Sequence, residues 1–150
     1  MPPGEPQLDA ATEATLLADA RAAQQHAYVP YSGFRVGAAL LAADGRVFTG
    51  ANVENAAYSP SICAERTALP QAVIAGAREF VAIAVVGDGD GPCTPCGVCR
   101  QTLYEFAPDV LVIAAGATGA AARYVLSTDL LPHGFGPPRL HASARPPEGG

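Results

Sequence analysis

The sequence is poor in charged residues, and basic residues are the scarcer kind. Charged side chains make up 15% of the 150 residues, with nine Lys and Arg against fourteen Asp and Glu, so the formal net charge is −5. Proteins that bind nucleic acids neutralise phosphates with clustered Lys and Arg. We therefore expect no nucleic-acid partner, whereas a small uncharged ligand is compatible with this composition.

Long apolar runs and a targeting pattern are also missing. No hydrophobic run reaches the roughly 20 residues of a membrane-spanning helix. The first nine residues are rich in proline and acidic side chains and lack the basic-then-apolar pattern of a secretory signal. We therefore expect a cytoplasmic protein without a membrane partner. The length and the 49% hydrophobic content indicate a single globular domain over residues 1–150.

Cysteine is scarce but unevenly distributed. Of the four cysteines, Cys93, Cys96 and Cys99 lie close together, and Cys63 lies far upstream. Two disulfides are one alternative, but such crowding is more typical of metal or redox chemistry than of covalent stapling.

The hydrophobic pattern predicts an alternation of strands and helices. Continuous apolar runs predict buried strands, helical spacing predicts amphipathic helices, and Asp44-Gly45 marks a hairpin turn. The predicted helices cover 12–25, 62–76 and 96–106, and the predicted strands cover 34–42, 46–50, 80–86, 110–114 and 123–127. This order is typical of a three-layer α/β/α sandwich with a mixed central sheet.

Three local features qualify this pattern. Ser61, which follows a proline, is a candidate N-cap for the second helix, and Pro70 predicts a kink or an early break within it. Residues 1–9 are predicted to be a loose N-terminal arm. Residues 139–150 are predicted to be a Pro/Gly-rich tail.

Two short segments carry the candidate chemistry, and each opens a predicted helix. Cys96 and Cys99 are three residues apart, so their sulfurs share a helix face, and Cys63 opens the other helix. Helix N-termini favour thiolates. Three thiolates and a water would form a tetrahedral zinc site with an open position, with one zinc per chain. Glu65 would lie near the metal without binding it, as a candidate proton shuttle.

The fourth cysteine leaves an alternative open. Cys93 and Cys96 also form a Cys-x-x-Cys pair, and four cysteines could close a structural zinc site with no open position. Against this, Cys93 lies before Pro95, on the loop side of the predicted helix start. We expect Arg66, three residues after Cys63, to donate hydrogen bonds to sulfur and to offset the negative charge of the thiolates.

Five sequence pieces in order resemble the small, homotetrameric, Cys₃ class of cytidine deaminases. Zinc nucleobase deaminases carry a Cys/Glu half followed by Pro-Cys-x-x-Cys. The resemblance covers about residues 28–137, through Tyr31-Ser32-x-Phe34-x-Val36-Gly37-Ala38-Ala39, Gly50-x-Asn52-Val53-Glu54-Asn55, Cys63-Ala64-Glu65-Arg66, Pro95-Cys96-Gly97-x-Cys99-Arg100-Gln101 and Leu130-Leu131-Pro132-x-x-Phe135-Gly136-Pro137.

The resemblance implies a role for each matching position. Zinc would be held by Cys63, Cys96 and Cys99, and Glu65 would carry a proton to ring N3. Asn52 and Glu54 would bind the ribose hydroxyls. Phe34 would pack on the nucleoside. The base and sugar would be lined by the backbone N–H of Ala64 and by the loop from Ala56 to Tyr58, and Phe135 would reach the base from a neighbouring subunit.

The implied reaction is zinc-dependent hydrolytic deamination of cytidine and 2′-deoxycytidine to uridine and 2′-deoxyuridine, with release of ammonia, as in pyrimidine salvage. A blasticidin-S-type deaminase shares the zinc motifs, although the Asn52-Val53-Glu54-Asn55 element favours cytidine. A polynucleotide-editing deaminase would need a basic groove, which the low Lys and Arg content disfavours. A non-catalytic structural zinc module is the remaining alternative.

Overall fold

The computed structural model describes residues 7–143. Within that range, four α-helices, one π-helix and five strands follow one another. In chain order they are α1 (Ala10–Gln24), β1 (Val36–Ala42), β2 (Val47–Ala51), α2 (Ala64–Ile74), β3 (Phe80–Gly87), α3 (Gly97–Phe106), β4 (Leu111–Ala115), β5 (Ala122–Val125), the π-helix (Leu126–Leu130) and α4 (Pro137–Ser143).

The five strands form one mixed sheet in the order β2-β1-β3-β4-β5. Strand β1 pairs antiparallel with both β2 and β3, β3 and β4 are parallel, and β5 returns antiparallel to β4. The β1–β2 connection is the predicted hairpin, in which Gly45 has a φ of +93° and the Arg46 N–H donates to Asp44 Oδ1. Helix α3 provides the crossover that the parallel pair requires.

Helices cover both faces of this sheet because its central strands are apolar on both sides. On β1, Ala38, Leu40 and Ala42 belong to the core formed with α2 and α3. Ala39 belongs to the opposite core, together with Leu16 and Ala20 of α1. The predicted three-layer α/β/α sandwich with a mixed sheet is therefore confirmed, and the two candidate chemical segments open α2 and α3 on the same side.

Helix α2 differs from its prediction in two respects. Its N-cap is Cys63 rather than Ser61, whose Oγ instead accepts a hydrogen bond from the Asn55 N–H. The helix also continues through Pro70 to Ile74, so the expected early break does not occur. Pro70 lies on the exposed side, while Leu69 and Ala72 are buried against the sheet. Burial of that face keeps the helix formed although Pro70 has no N–H to donate.

The chain ends are more regular than predicted where the structure describes them. Asp9, assigned to the loose arm, caps α1, since its Oδ1 accepts a hydrogen bond of 2.7 Å from the Thr12 N–H. Helix α4 (Pro137–Ser143) includes residues 139–143 of the predicted tail. Residues 1–6 and 144–150 lie outside the described residues. In the described part, no helix is both long and apolar enough to cross a membrane.

Candidate active site

Three cysteine sulfurs meet where α2 and α3 begin. Cys63 caps α2, Cys96 caps α3, and Cys99 lies in the first turn of α3. The Sγ atoms of these residues all lie within 4.8 Å of one another, and those of Cys63 and Cys96 are 3.8 Å apart. Neither cap position carries a side-chain capping hydrogen bond, so the thiols are left for another partner.

This donor set fits a zinc ion. Two Zn–S bonds of about 2.3 Å at the tetrahedral angle place their sulfurs about 3.8 Å apart, the separation that Cys63 and Cys96 have. All four cysteines are free thiols, which removes the two-disulfide alternative. Among the described residues Cys93 is not in this metal-competent group, so the arrangement does not favour a closed four-cysteine site.

The environment of Cys63 favours its thiolate. Hydrogen bonds to its sulfur lower the pKa of Cys63 to about 5. The largest contribution comes from the Cys99 thiol and a smaller one from the Arg66 guanidinium. Arg66 Nη2 lies 3.6 Å from Cys63 Sγ. Cys99 is the donor of this coupled pair, and its pKa is raised as a result. The group therefore carries its first negative charge on Cys63, and Arg66 lies where it can offset that charge.

Glu65 lies on the first turn of α2 with only 4% of its surface exposed. Burial raises the pKa of its carboxyl above the usual range, against smaller opposing effects of its own backbone N–H and of the Cys99 thiol. A buried carboxyl beside a metal-competent cluster holds a proton more readily than one in water. It is therefore suited to accepting and returning a proton.

The candidate sugar-binding segment is hydrogen-bonded to the residue that precedes Cys63. Val53 N–H and C=O exchange hydrogen bonds of 3.0 and 2.9 Å with Ile62, the residue before Cys63. Glu54 Oε1 accepts from the Tyr31 and Ser32 N–H groups at 3.0 Å, and hydrogen bonding from Ser32 lowers the pKa of the Glu54 carboxyl. Residues 52–54 are thus brought alongside Cys63.

The Asn52 side chain makes two hydrogen bonds to the backbone of a segment that is distant in sequence. Its Oδ1 accepts from the Val36 N–H at 2.8 Å, and its Nδ2 donates to the Phe34 C=O at 2.9 Å. One amide hydrogen of Asn52 then remains for a ligand. The same two bonds fix the backbone from the carbonyl of Phe34, the candidate nucleoside-stacking residue, to the N–H of Val36.

Phe34 is a surface residue of the protomer, not part of the core. It is 40% exposed, and its ring lies against the backbone of Gly87 and Gly89. Cys93 flanks the same glycine: a Cβ at Gly87 would lie 2.8 Å from Cys93 Sγ and 3.1 Å from Phe34 Cε1. Burial raises the pKa of the Cys93 thiol to about 11, so this cysteine stays protonated.

The remaining predicted residues are divided between the site and the surface. Ala64 is the first residue of α2, so its N–H has no intrahelical acceptor. Ala56 is exposed, and Tyr58, with a φ of +61°, is 73% exposed and meets Tyr31 edge to face. Phe135 is 57% exposed. The structure thus groups the thiols with Glu65 and joins residues 52–54 to them, while Tyr58 and Phe135 face outward.

Sequence reasoning overlooked Arg100, although this residue directly follows a metal ligand. Its Nε donates to the Pro95 C=O at 2.7 Å and its Nη1 to the Leu130 C=O at 2.8 Å. It therefore fixes the loop that precedes Cys96 and the end of the π-helix. In the sequence Arg100 is only one position of a motif, and its two carbonyl partners are identified only by the structure.

Comparison with known proteins agrees with this geometry. Residues 11–115 match the family model described as the cytidine and deoxycytidylate deaminase zinc-binding region. The chain is 48% identical over 120 residues to a cytidine deaminase of Halalkalibacterium halodurans, covering 80% of this chain and 91% of that protein. It is 57% identical over 91 residues to a cytidine deaminase of Sporosarcina psychrophila, covering 61% and 67%.

Solved structures agree in the fold. A cytidine deaminase from Burkholderia pseudomallei superposes with a TM-score of 0.78 at 49% identity, covering 81% of this chain and 98% of that one. A cytidine deaminase from Mycobacterium tuberculosis superposes with a TM-score of 0.74 at 37% identity, covering 87% and 99%. From the family match, these relatives and the three-thiol cluster, the chain belongs to the cytidine and deoxycytidylate deaminase family.

Proposed function

We propose that this protein is a zinc-dependent hydrolase that deaminates cytidine and 2′-deoxycytidine to uridine and 2′-deoxyuridine, releasing ammonia. The observation that carries the proposal is the convergence of three thiols with a buried, non-ligand carboxyl, Glu65, at two helix N-termini. Three protein ligands leave a fourth position open, as catalytic zinc requires. The family and its cytidine deaminase relatives support the same reaction.

Each proposed catalytic group has a separate task. When bound by Cys63, Cys96 and Cys99, zinc would supply Lewis-acid activation of water for attack on C4 of the cytosine ring. Glu65 takes one proton of that water and delivers it to ring N3. It then takes the second proton from the new hydroxyl on C4 and delivers it to the amino group, which leaves as ammonia while C4 becomes the carbonyl carbon of uridine. Burial raises the pKa of the Glu65 carboxyl, which makes it a better proton donor to the substrate than an ordinary carboxylate is. Arg66 offsets the thiolate charge.

The sugar and base contacts are proposed from the segments around the metal ligands. Glu54 Oε2 accepts from a ribose hydroxyl, since Oε1 is taken by the Tyr31 and Ser32 N–H groups. The free amide hydrogen of Asn52 donates to the sugar. The Phe34 ring stacks on the nucleoside. The Ala64 N–H and the loop of Ala56 and Tyr58 line the base and sugar.

The active form is proposed to be a homotetramer with sites shared between subunits. Large exposed apolar patches mark interfaces between proteins. The protomer exposes the aromatic side chains of Tyr28, Tyr31, Phe34, Tyr58 and Phe135. Phe135 from one subunit then approaches the base bound by its neighbour. A cytoplasmic location and a place in pyrimidine salvage stay predictions from the sequence.

The reaction can be tested directly with purified protein. The ultraviolet absorbance that distinguishes cytidine from uridine should fall while uridine and ammonia form in equal amounts. Blasticidin S should react far more slowly. Rapid turnover of blasticidin S with slow turnover of cytidine would favour the blasticidin-S-type alternative. No turnover of either by zinc-loaded protein would favour a structural zinc module.

Free cytosine tests the sugar contacts. A site built to hydrogen-bond the ribose leaves its own polar groups unpaired when the sugar is missing, which can cost as much as 10⁴-fold or more in kcat/KM. Cytosine should therefore react much more poorly than cytidine. Comparable kcat/KM for the two would contradict the roles of Asn52 and Glu54.

A further inference from the structure

The segment that carries Phe135 is fastened along one side of α3, the helix that also supplies Cys99. Tyr104 lies three residues after Gln101 and four residues after Arg100, so its side chain is a neighbour of each of theirs on the surface of the helix. Arg100 Nη1 binds the Leu130 C=O at 2.8 Å, and Gln101 Nε2 binds the Phe135 C=O at 2.8 Å. The segment is therefore attached both before Phe135 and at Phe135 itself.

Two glycines bracket Phe135 and lie flat on the Tyr104 ring. A Cβ at Gly134 would lie 2.8 Å from Tyr104 Cε2, and one at Gly136 would lie 2.8 Å from Tyr104 Cε1. Both glycines are buried, whereas the side chain between them is largely exposed. The backbone is thus pressed against α3 on both sides of Phe135, which turns the Phe135 ring away from its own helix.

We propose that Gln101 and Tyr104 are positioning residues that hold Phe135 in an outward orientation suited to a neighbouring subunit's site. An exposed phenylalanine has no core packing to fix its direction, so its backbone must be fixed instead. The Gln101 hydrogen bond fixes the peptide of Phe135, and the Tyr104 ring fixes its two neighbours. The proposal rests on the proposed shared site for its catalytic consequence, but not for its structural claim.

The structural claim can be tested without any catalysis. The chain contains no tryptophan, so Phe135→Trp creates a single fluorophore at this position. In that background Gln101→Glu removes the donor while keeping the side-chain shape. We expect lower fluorescence anisotropy and a shifted emission maximum, with zinc content, oligomer size and melting temperature unchanged.

A matched control is available on α2. Gln71 Nε2 also donates to backbone carbonyls, those of Thr49 at 3.1 Å and Thr67 at 2.7 Å, on an exposed helix face. Gln71→Glu therefore makes the same change of charge and the same loss of donor at a different place. It should leave the emission and anisotropy of Phe135→Trp unchanged. Equal effects of Gln71→Glu and Gln101→Glu, or no effect of Gln101→Glu, would overturn the proposal.

The catalytic consequence is tested by a double-mutant cycle on kcat/KM for cytidine. Gln101→Glu alone should lower kcat/KM by roughly two- to tenfold, the range expected for one hydrogen bond. In the Phe135→Ala background it should cause no further loss, because there is no ring left to orient. Additive losses would overturn the positioning role. Normal activity of Phe135→Ala with a shifted emission in Gln101→Glu would instead reject the shared site and leave the positioning role standing.

Discussion

At the scale of single residues, Cys63 and Glu65 stand two positions apart and have opposite electrostatic environments. Hydrogen bonds from Cys99 and Arg66 lower the pKa of Cys63 to about 5, whereas burial raises the pKa of Glu65. One residue is thereby prepared to bind a cation as an anion, and the other to hold a transferable proton. This difference is consistent with the proposed roles, Cys63 as a zinc ligand and Glu65 as a proton shuttle.

Glu65→Gln tests the proposed role of Glu65 as proton shuttle. The amide has nearly the same shape but cannot carry a proton, so the variant should keep its zinc and still bind cytidine. Its kcat should fall by about 10²–10⁴, the range for a lost general acid–base group. Zinc content is measured by metal analysis and binding by titration calorimetry. A variant with near wild-type kcat would contradict this role.

Cys93→Ser separates three-cysteine from four-cysteine binding. Cys93 is outside the metal-competent cluster, and burial raises its pKa to about 11, so its replacement should leave one zinc per chain and active enzyme. Cys96→Ser should lose both, because a ligand is removed. Metal analysis of the two variants decides the matter. Loss of zinc from Cys93→Ser would instead support the closed four-cysteine site.

Spacing was enough to predict that Cys96 and Cys99 act together, because they share a helix face wherever that helix lies. The choice of Cys63 rather than Cys93 as the third member of the cluster also rested on the resemblance to the cytidine deaminases. Spacing could not reveal that Asn52 holds the Phe34 and Val36 backbone, since those contacts depend on how the hairpin meets the following loop. The same limit hid the carbonyl contacts of Arg100. Contacts between segments distant in sequence have no local signal.

At the scale of elements, the first hairpin is held between two helices that approach closely at two glycines. A Cβ on Gly37 of β1 would overlap the Ala20 carbonyl of α1, and a Cβ on Gly50 of β2 would overlap the Ala64 carbonyl of α2. Only an absent side chain lets backbones approach so closely. The position of α2, and hence of Cys63, depends on Gly50.

Gly50→Ala and Gly37→Ala should therefore have similar effects on stability but different effects on zinc affinity. Each should lower the free energy of unfolding by about 1–3 kcal/mol, the usual cost of overpacking. Only Gly50→Ala displaces the helix that begins at the ligand, so only it should also weaken zinc affinity. Urea unfolding and competition with a chromophoric chelator give the two quantities. Equal loss of zinc affinity in both variants would contradict this link.

Element prediction succeeded where burial and periodicity act together and failed at the ends. The strand over 80–86 was predicted from a continuous apolar run, and it occupies the centre of the sheet as β3. Residues 126–130 form a π-helix and residues 137–143 a helix, although their sequence indicates a weak strand end and a tail. The Asp129 carboxylate bond to the Val125 N–H and the Arg100 contact stabilise the π-helix, and the sequence shows neither bond.

At the scale of the whole molecule, the isolated protomer exposes several aromatic rings that an assembly could bury. Tyr58 and Phe135 are mostly exposed, and Phe34 is partly so. Aromatic side chains of this kind are typical of interfaces. A closed symmetric assembly would bury them and complete each site with a neighbouring Phe135.

Complementation tests the shared site. Glu65→Ala and Phe135→Ala chains should each be poor catalysts. If they are unfolded together and reassembled in equal amounts, random mixing should leave about a quarter of the sites with both residues intact, since each site draws on two chains. Activity should rise well above both parents. Activity at the parental average, in mixtures shown by mass spectrometry to contain hybrid oligomers, would mean that Phe135 serves its own chain.

The most direct test of the central claim, that Cys63, Cys96 and Cys99 hold the zinc on which cytidine deamination depends, is a zinc titration of metal-free enzyme followed by its rate with cytidine. Chelator-treated protein should be inactive while remaining folded by circular dichroism. Activity should then rise in proportion to added zinc and level off at one ion per chain. Full activity in protein shown by metal analysis to contain no metal would contradict the account.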